Sequence, residues 1–266
     1  MYWTSMYARR FMEVNSLKSP IGIVALPGIA NVGKIAIETL SQLLGAEHMM
    51  DLFSMDFPPR VLVKQGIATI PKTTIHLYRA APDEPHDLLL LTADFQPSTS
   101  AGVYEYADFV GKEFEKLGVT ILYSLAAYEQ DYEEYFKIYP NDPRLYVSAN
   151  SEKLLAQVSG SAHAVITEEG VIVGANGVIP AWAASMYNMA GACILGETLG
   201  VINGDYRAAK IILEKIMDLV GINVDLDIMT PHIAKVIEFI EWARKEVVRK
   251  SEEFAEGDSP SDMYIG

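Results

Sequence analysis

Cysteine is nearly absent from this chain, with Cys193 the only one. A single thiol excludes an intramolecular disulfide and a thiolate cage for a metal. Its place in the apolar run Met189–Leu195 reads as a small buried hydrophobe. Basic residues are also few: 21 Lys and Arg stand against 35 Asp and Glu, a formal charge of -14. A surface so acidic repels phosphate backbones and anionic lipid, which argues against nucleic acid and membrane surfaces as partners. Long apolar runs are missing too. Charges or glycines break every candidate before it reaches the ~18–20 residues that cross a bilayer. Residues Met1–Met6 have neither the basic start nor the apolar core of a signal peptide. The expected location is the cytoplasm.

What the chain does have is a globular composition. Half of its 266 residues are apolar and 21% are charged, enough to bury one large core. Ile21–Leu26 reads as a buried strand that stops at Pro27-Gly28, and apolar residues from Val32 to Leu44 then recur at helical spacing up to Gly45. Val61–Gln65 and Thr73–Tyr78 are β-rich, and with Gly66 and Pro71 between them they suggest a hairpin or meander. Asp87–Thr92, four of whose residues are leucine, predicts a strand covered on both faces. Val103, Ala107, Val110, Phe114 and Leu117 mark a helix ending at Gly118, followed by a strand over Val119–Ser124. Ser151 caps a short helix, and Ala164–Ile166 and Val171–Val173 read as strands joined by a turn at Glu168-Glu169-Gly170. A helix is expected over Pro180–Leu195, another from Asp205 to Gly221, and a last one from Thr230-Pro231 with Ile233, Val236, Ile237, Ile240 and Val247 on its buried stripe. This alternation predicts a single α/β domain over residues 1–250, a mixed and mainly parallel sheet between helical layers. Residues 251–266 open acidic and polar with several turn formers, and a flexible tail is expected there.

The motif most suggestive of chemistry is Gly28-Ile29-Ala30-Asn31-Val32-Gly33-Lys34-Ile35, with the glycine and lysine spacing of a phosphate-binding loop and Asp94 downstream after an apolar strand. Ile35 stands where such loops place a hydroxyl for magnesium, so a tight strand-to-helix turn is the simpler reading and a degenerate nucleotide site the alternative. The five histidines, His48, His76, His86, His163 and His232, include no pair at metal-ligand spacing. Ser159-Gly160-Ser161-Ala162-His163 lacks the strained elbow of a hydrolase nucleophile. Asp131, Glu133 and Glu134 among Tyr128, Tyr132, Tyr135 and Tyr139 read as a solvated or interfacial face. Trp182 is a candidate for core or for interface anchor. No catalytic set, cofactor site or metal site assembles, and the chain is expected not to be an enzyme.

Three stretches resemble the proteasome-assembly-chaperone family, in particular archaeal members related to its second eukaryotic subunit. They are Pro27–Gly33, Asp94-Phe95-Gln96-Pro97, and Gly196-Glu197-Thr198-Leu199-Gly200 with Asp205–Ala209. The resemblance runs from about Ile21 to Trp242. It implies an α/β fold similar to that of nucleoside phosphorylases, used without catalysis or ATP. It also implies self-association into homo-oligomers, or pairing with a related subunit, and binding to proteasome α subunits or the core particle. Members of the family can dock through a C-terminal hydrophobic–tyrosine–any-residue motif. Met263, Tyr264 and Ile265 match it as candidate partner-binding residues, one residue before Gly266. A scaffold for an unrelated protein is the other reading the composition allows.

Overall fold

Leu88–Leu91 is buried throughout, and it lies inside a sheet covered on both faces. In the computed structural model, which describes residues 5–160 and 163–257, nine strands form that sheet. They are β1 (Met6–Arg10), β2 (Ile21–Ala25), β3 (Glu47–Ser54), β6 (Thr73–Tyr78), β7 (Leu88–Ala93), β8 (Ile121–Glu129), β9 (Leu145–Ala149), β10 (Ala164–Ile166) and β11 (Ala190–Thr198). Two more, β4 (Leu62–Lys64) and β5 (Ile67–Thr69), pair with each other and, among the described residues, with no other strand. The large sheet has the order β1-β3-β6-β7-β2-β8-β11-β9-β10. Its centre, β7-β2-β8-β11, is parallel, and antiparallel strands extend it on either side. Helices α1 (Val32–Leu43), α2 (Ser100–Lys116), α3 (Tyr132–Ile138), α4 (Glu152–Val158), α5 (Ala175–Met186), α6 (Tyr206–Val220) and α7 (Thr230–Gly257) complete the chain.

Successive side chains of a strand point to opposite faces, and β7 shows what that requires of a central strand. Leu88 and Leu90 enter one core with Ile37, Leu125, Ile194 and Ile212. Leu89 and Leu91 enter the other with Val110, Phe114 and Ile179. The helices α1 and α6 cover the first face, α2 and α5 the second. The helix starts follow ordinary capping. Asp205 accepts from the backbone of Arg207 and Ala208, Thr99 from Gly102 and Ser151 from Leu154. Gly221 ends α6 in the left-handed region that glycine tolerates.

The structure corrects several of the expectations above. Met189–Leu195 is not helix: α5 runs over Ala175–Met186, and β11 follows as a central strand. Val171–Val173 forms no strand, while β1, β3, β5 and β9 are strands the patterning did not reveal. Val61–Gln65 and Thr73–Tyr78 do not pair with each other, because β4 turns back on β5 whereas β6 lies between β3 and β7. Only part of the stripe expected on α7 is covered. Val236 and Ile240 are buried, but Ile237 and Val247 are exposed. That helix also continues beyond Lys250 to Gly257. Among the described residues no helix is long and apolar enough to cross a membrane.

Candidate functional site

The phosphate-loop-like turn follows β2, and its geometry is that of packing. Ala30 and Asn31 sit in the left-handed region, and the Ala30 carbonyl accepts from the Asp205 amide at 2.9 Å. A Cβ on Gly33 would come within 2.6 Å of the Leu125 carbonyl carbon and 3.1 Å of the Ala126 nitrogen, so this glycine lets α1 lie directly on β8. The lysine that would reach a phosphate is turned away, and Lys34 Nζ donates to the Ala93 carbonyl at 3.0 Å. Asp94 is occupied as well, accepting from the Lys72 amide at 2.9 Å.

The three family-like stretches converge at the carboxyl ends of the central strands. Asn176, buried at the start of α5, accepts from the Leu26 amide at 2.8 Å and donates to the Leu26 carbonyl at 3.0 Å, extending β2 with a side-chain amide. Gln96 bridges the same loops, donating to the Pro27 carbonyl at 2.7 Å and accepting from the Ala175 amide at 2.9 Å. Glu197 accepts a charge-assisted pair from Arg144 and the Arg144 amide as well. Thr198 donates to Asp205 at 2.7 Å, and Arg207 donates to the Asn141 and Pro140 carbonyls and to the Tyr135 hydroxyl. The motif residues hold loops together.

Beside them lies a crevice of about 840 Å³, walled by Tyr128, Tyr146, Ile166 and Leu195 and rimmed by Glu129, Glu168 and Glu169. Crevices at the carboxyl ends of parallel strands are where α/β sheets bind ligands. Tyr128 and Tyr146 stack with ring centres 3.7 Å apart. The lining has three carboxylates and no Lys or Arg, the wrong charge for a phosphorylated substrate.

Comparison with known proteins settles the lineage. A family model described as PAC2 family matches residues 22–241. The chain belongs to the PAC2 family. Its sequence is 29% identical to the uncharacterized protein MJ1210 of Methanocaldococcus jannaschii over the full length of both. Its fold matches Pyrococcus furiosus PbaB, an archaeal proteasome activator, with a TM-score of 0.81 at 25% identity, covering 91% of this chain and all of that one. Pyrococcus furiosus PbaA, an archaeal homolog of proteasome-assembly chaperone, matches with a TM-score of 0.67 at 23% identity, covering 97% of this chain and 99% of that one. The likeness to PbaA shows a shared fold.

The tyrosine-rich segment expected as a solvated or interfacial face is divided: Tyr135 and Tyr139 are buried and Tyr128 and Tyr132 part-buried, while Asp131, which caps α3, and Glu133 are exposed. Trp182 is half-buried between α5 and α2, donating to Asp108 at 3.1 Å. The large exposed apolar side chains lie elsewhere. Phe239 and Trp242 stand together on α7, with ring centres 5.8 Å apart and Trp242 58% exposed. Val63 and Ile67 project from the β4–β5 hairpin, 68% and 69% exposed. No apolar periodicity marked either surface, because exposure there depends on what the rest of the chain leaves uncovered. Met263, Tyr264 and Ile265, the residues singled out for partner binding, lie outside the described residues.

The edge strand next to the hairpin is anchored electrostatically. Glu113 on α2 pairs with Arg10 of β1 and with Lys116 at 2.8 Å. Burial alone raises its pKa, but the hydrogen bonds and charges of Lys116 and Arg10 outweigh that and leave it below the ordinary 4.5. A carboxylate with a depressed folded pKa contributes stability that is present above its unfolded pKa and lost as pH falls through the folded value. Glu113→Gln is therefore expected to cost about 1 kcal/mol near neutral pH, small because both cations reach solvent, and progressively less as acid carries the pH down through the folded pKa. A series of urea melts from neutral to acid pH checks this, and a loss that does not shrink in acid contradicts it.

Proposed function

We propose that this PAC2 protein is a non-enzymatic, ATP-independent assembly chaperone that binds proteasome α subunits or the core particle. The observation that carries the reading is the likeness to PbaB over the whole of that chain, together with the family match across residues 22–241. The site geometry is consistent with it. The phosphate-loop-like lysine is engaged elsewhere, and the motif residues serve packing. Homo-oligomerisation belongs to the same proposal, and a cytoplasmic location follows from it.

Met263, Tyr264 and Ile265 are the proposed docking element. Native mass spectrometry of the full chain with an archaeal core particle, and separately with its α subunits, tests this. Binding is expected, with about a tenfold weaker Kd after Tyr264→Ala or removal of residues 263–266, equivalent to ~1.4 kcal/mol. Absence of binding at tens of micromolar sinks the proteasome reading and leaves a scaffold for another protein. Binding indifferent to both changes removes the tail from it.

A further inference from the structure

The crevice at the carboxyl ends of the central strands combines an apolar wall with an acidic rim. Its volume of about 840 Å³ is that of a small-molecule site, roughly 300–1,000 Å³. Val171 and Val173 stand in its wall 87% and 84% exposed, opposite the buried Leu195. The stacked rings of Tyr128 and Tyr146 add aromatic faces, and the Gln130 amide donates to the Tyr146 hydroxyl at 3.3 Å. Thr167 lines the same crevice, and its buried hydroxyl oxygen has no hydrogen-bond partner among the described residues. Buried hydroxyls are ordinarily bonded, so an N–H brought by a ligand would satisfy it.

The charge of the lining indicates the class of ligand. Glu129 closes β8, while Glu168 and Glu169 stand in the loop between β10 and α5. A Cβ on Gly200 would take the place of the Glu129 carboxylate, so this glycine makes room for it. None of the three carboxylates joins an ion pair or hydrogen bond among the described residues, and no Lys, Arg or His lines the crevice. Arg144, over the Tyr146 ring at 5.5 Å, is already paired with the buried Glu197. The complement is therefore a cation. A compact metal ion does not suit, because the acids stand on separate elements and no group able to hold a metal occurs among the described residues. Ammonium groups at separated points fit this arrangement, and the methylenes between them would cover the exposed valines. An ammonium is also attracted to a tyrosine face.

We propose that the crevice binds a small aliphatic polyamine, its methylenes against Val171, Val173 and Leu195 and its ammonium groups toward Glu129, Glu168 and Glu169. The loop from β10 to α5 furnishes two of the acids and both valines, so one segment carries charge and apolar wall together. No proteasome component takes part, and the proposal stands or falls apart from the reading above.

Equilibrium dialysis of the full-length protein against labelled spermidine tests it. The salt is held near 0.15 M, where the diffuse field of an acidic chain is screened beyond ~8 Å. Saturable binding is expected, with a Kd below ~100 μM. Hexylamine, with one ammonium, is expected to compete at least tenfold less well than unlabelled spermidine, and hexanol and magnesium hardly at all. The doubly substituted Glu168→Gln, Glu169→Gln protein is expected to bind spermidine about fivefold more weakly, the modest effect of exposed ion pairs. Asp218→Asn with Glu238→Gln removes the same charge from exposed positions on α6 and α7 outside the crevice, and is expected to leave binding unchanged. Equal weakening by both double substitutions, or competition by magnesium equal to spermidine, would assign the binding to general acidity and overturn the site. Hexylamine or hexanol competing as well as spermidine overturns the polyamine assignment. Absence of saturable binding at millimolar spermidine overturns the proposal outright.

Discussion

Gly33→Ala is expected to lower the stability of the protein by about 2–3 kcal/mol, although alanine is the better helix former by up to ~1 kcal/mol. The new methyl would meet backbone, with the Leu125 carbonyl carbon 2.6 Å and the Ala126 nitrogen 3.1 Å from its ideal position. Backbone cannot rotate away as a side chain does. β8 is also held on both sides by β2 and β11, so α1 would have to lift from the sheet. Lifting it disturbs Val32, Ala36, Ile37 and Leu40, all buried under that helix. Gly45 supplies the contrast. It has a φ of 60° with nothing within 4 Å of a new Cβ, so Gly45→Ala is expected to cost about 1 kcal/mol, the left-handed penalty alone. Urea denaturation of both variants measures the difference. A neutral Gly33→Ala would mean that α1 is not seated on β8 as described. The wild type is also expected to show no shift in Tm with ATP and magnesium, whereas a phosphate-binding loop would be stabilised by its ligand.

That glycine shows why a tight strand-to-helix turn was the simpler reading of the phosphate-loop-like motif. Gly28 to Lys34 was legible as a strand-to-helix turn because turn chemistry is local, and so were the Asp205 cap, the Gly221 stop, the α2 face and the leucines of β7. β11 was not. Ala190-Gly191-Ala192-Cys193 is small and apolar throughout and has neither a period of two nor β-branched side chains to mark a strand. What makes it a strand is tertiary: a Cβ on Gly191 would come within 2.9 Å of the Pro180 carbonyl carbon, so α5 lies against this backbone. β3 was hidden for a related reason. Its Asp51 is buried against Lys72 and His48, and a buried acid breaks the apolar pattern by which a strand is recognised. The hairpin and the exposed face of α7 are defined by what fails to cover them, which no local pattern encodes.

The family resemblance was legible through residues whose work is internal, and Asp205→Ala is the substitution that exposes this most sharply. It is expected to cost about 3–4 kcal/mol, from losing the α6 cap (~1 kcal/mol) and stranding a buried hydroxyl (~1–3 kcal/mol). Asp205 is fully buried, accepts from the Arg207 and Ala208 amides at 2.9 and 3.1 Å, and takes the Thr198 hydroxyl at 2.7 Å. Its loss also leaves the Arg207 guanidinium, buried over the Tyr139 ring, without the neighbouring negative charge. Asp205→Asn keeps a capping oxygen and a partner for Thr198, and is expected to cost less than half as much, since asparagine caps as well as aspartate. The pair of variants also isolates the charge. Burial raises the pKa of Asp205 above its ordinary 3.8, against the opposing hydrogen bonds from Ala208 and Thr198 and the charge of Arg207. Between the unfolded and the raised folded values the native state binds more protons than the unfolded one, so stability falls as pH rises through that window. Stability of the wild type relative to Asp205→Asn is therefore expected to decline from pH 3.8 upward and then level off. An increase over the same window would mean that the hydrogen bonds win and that the fold favours the carboxylate.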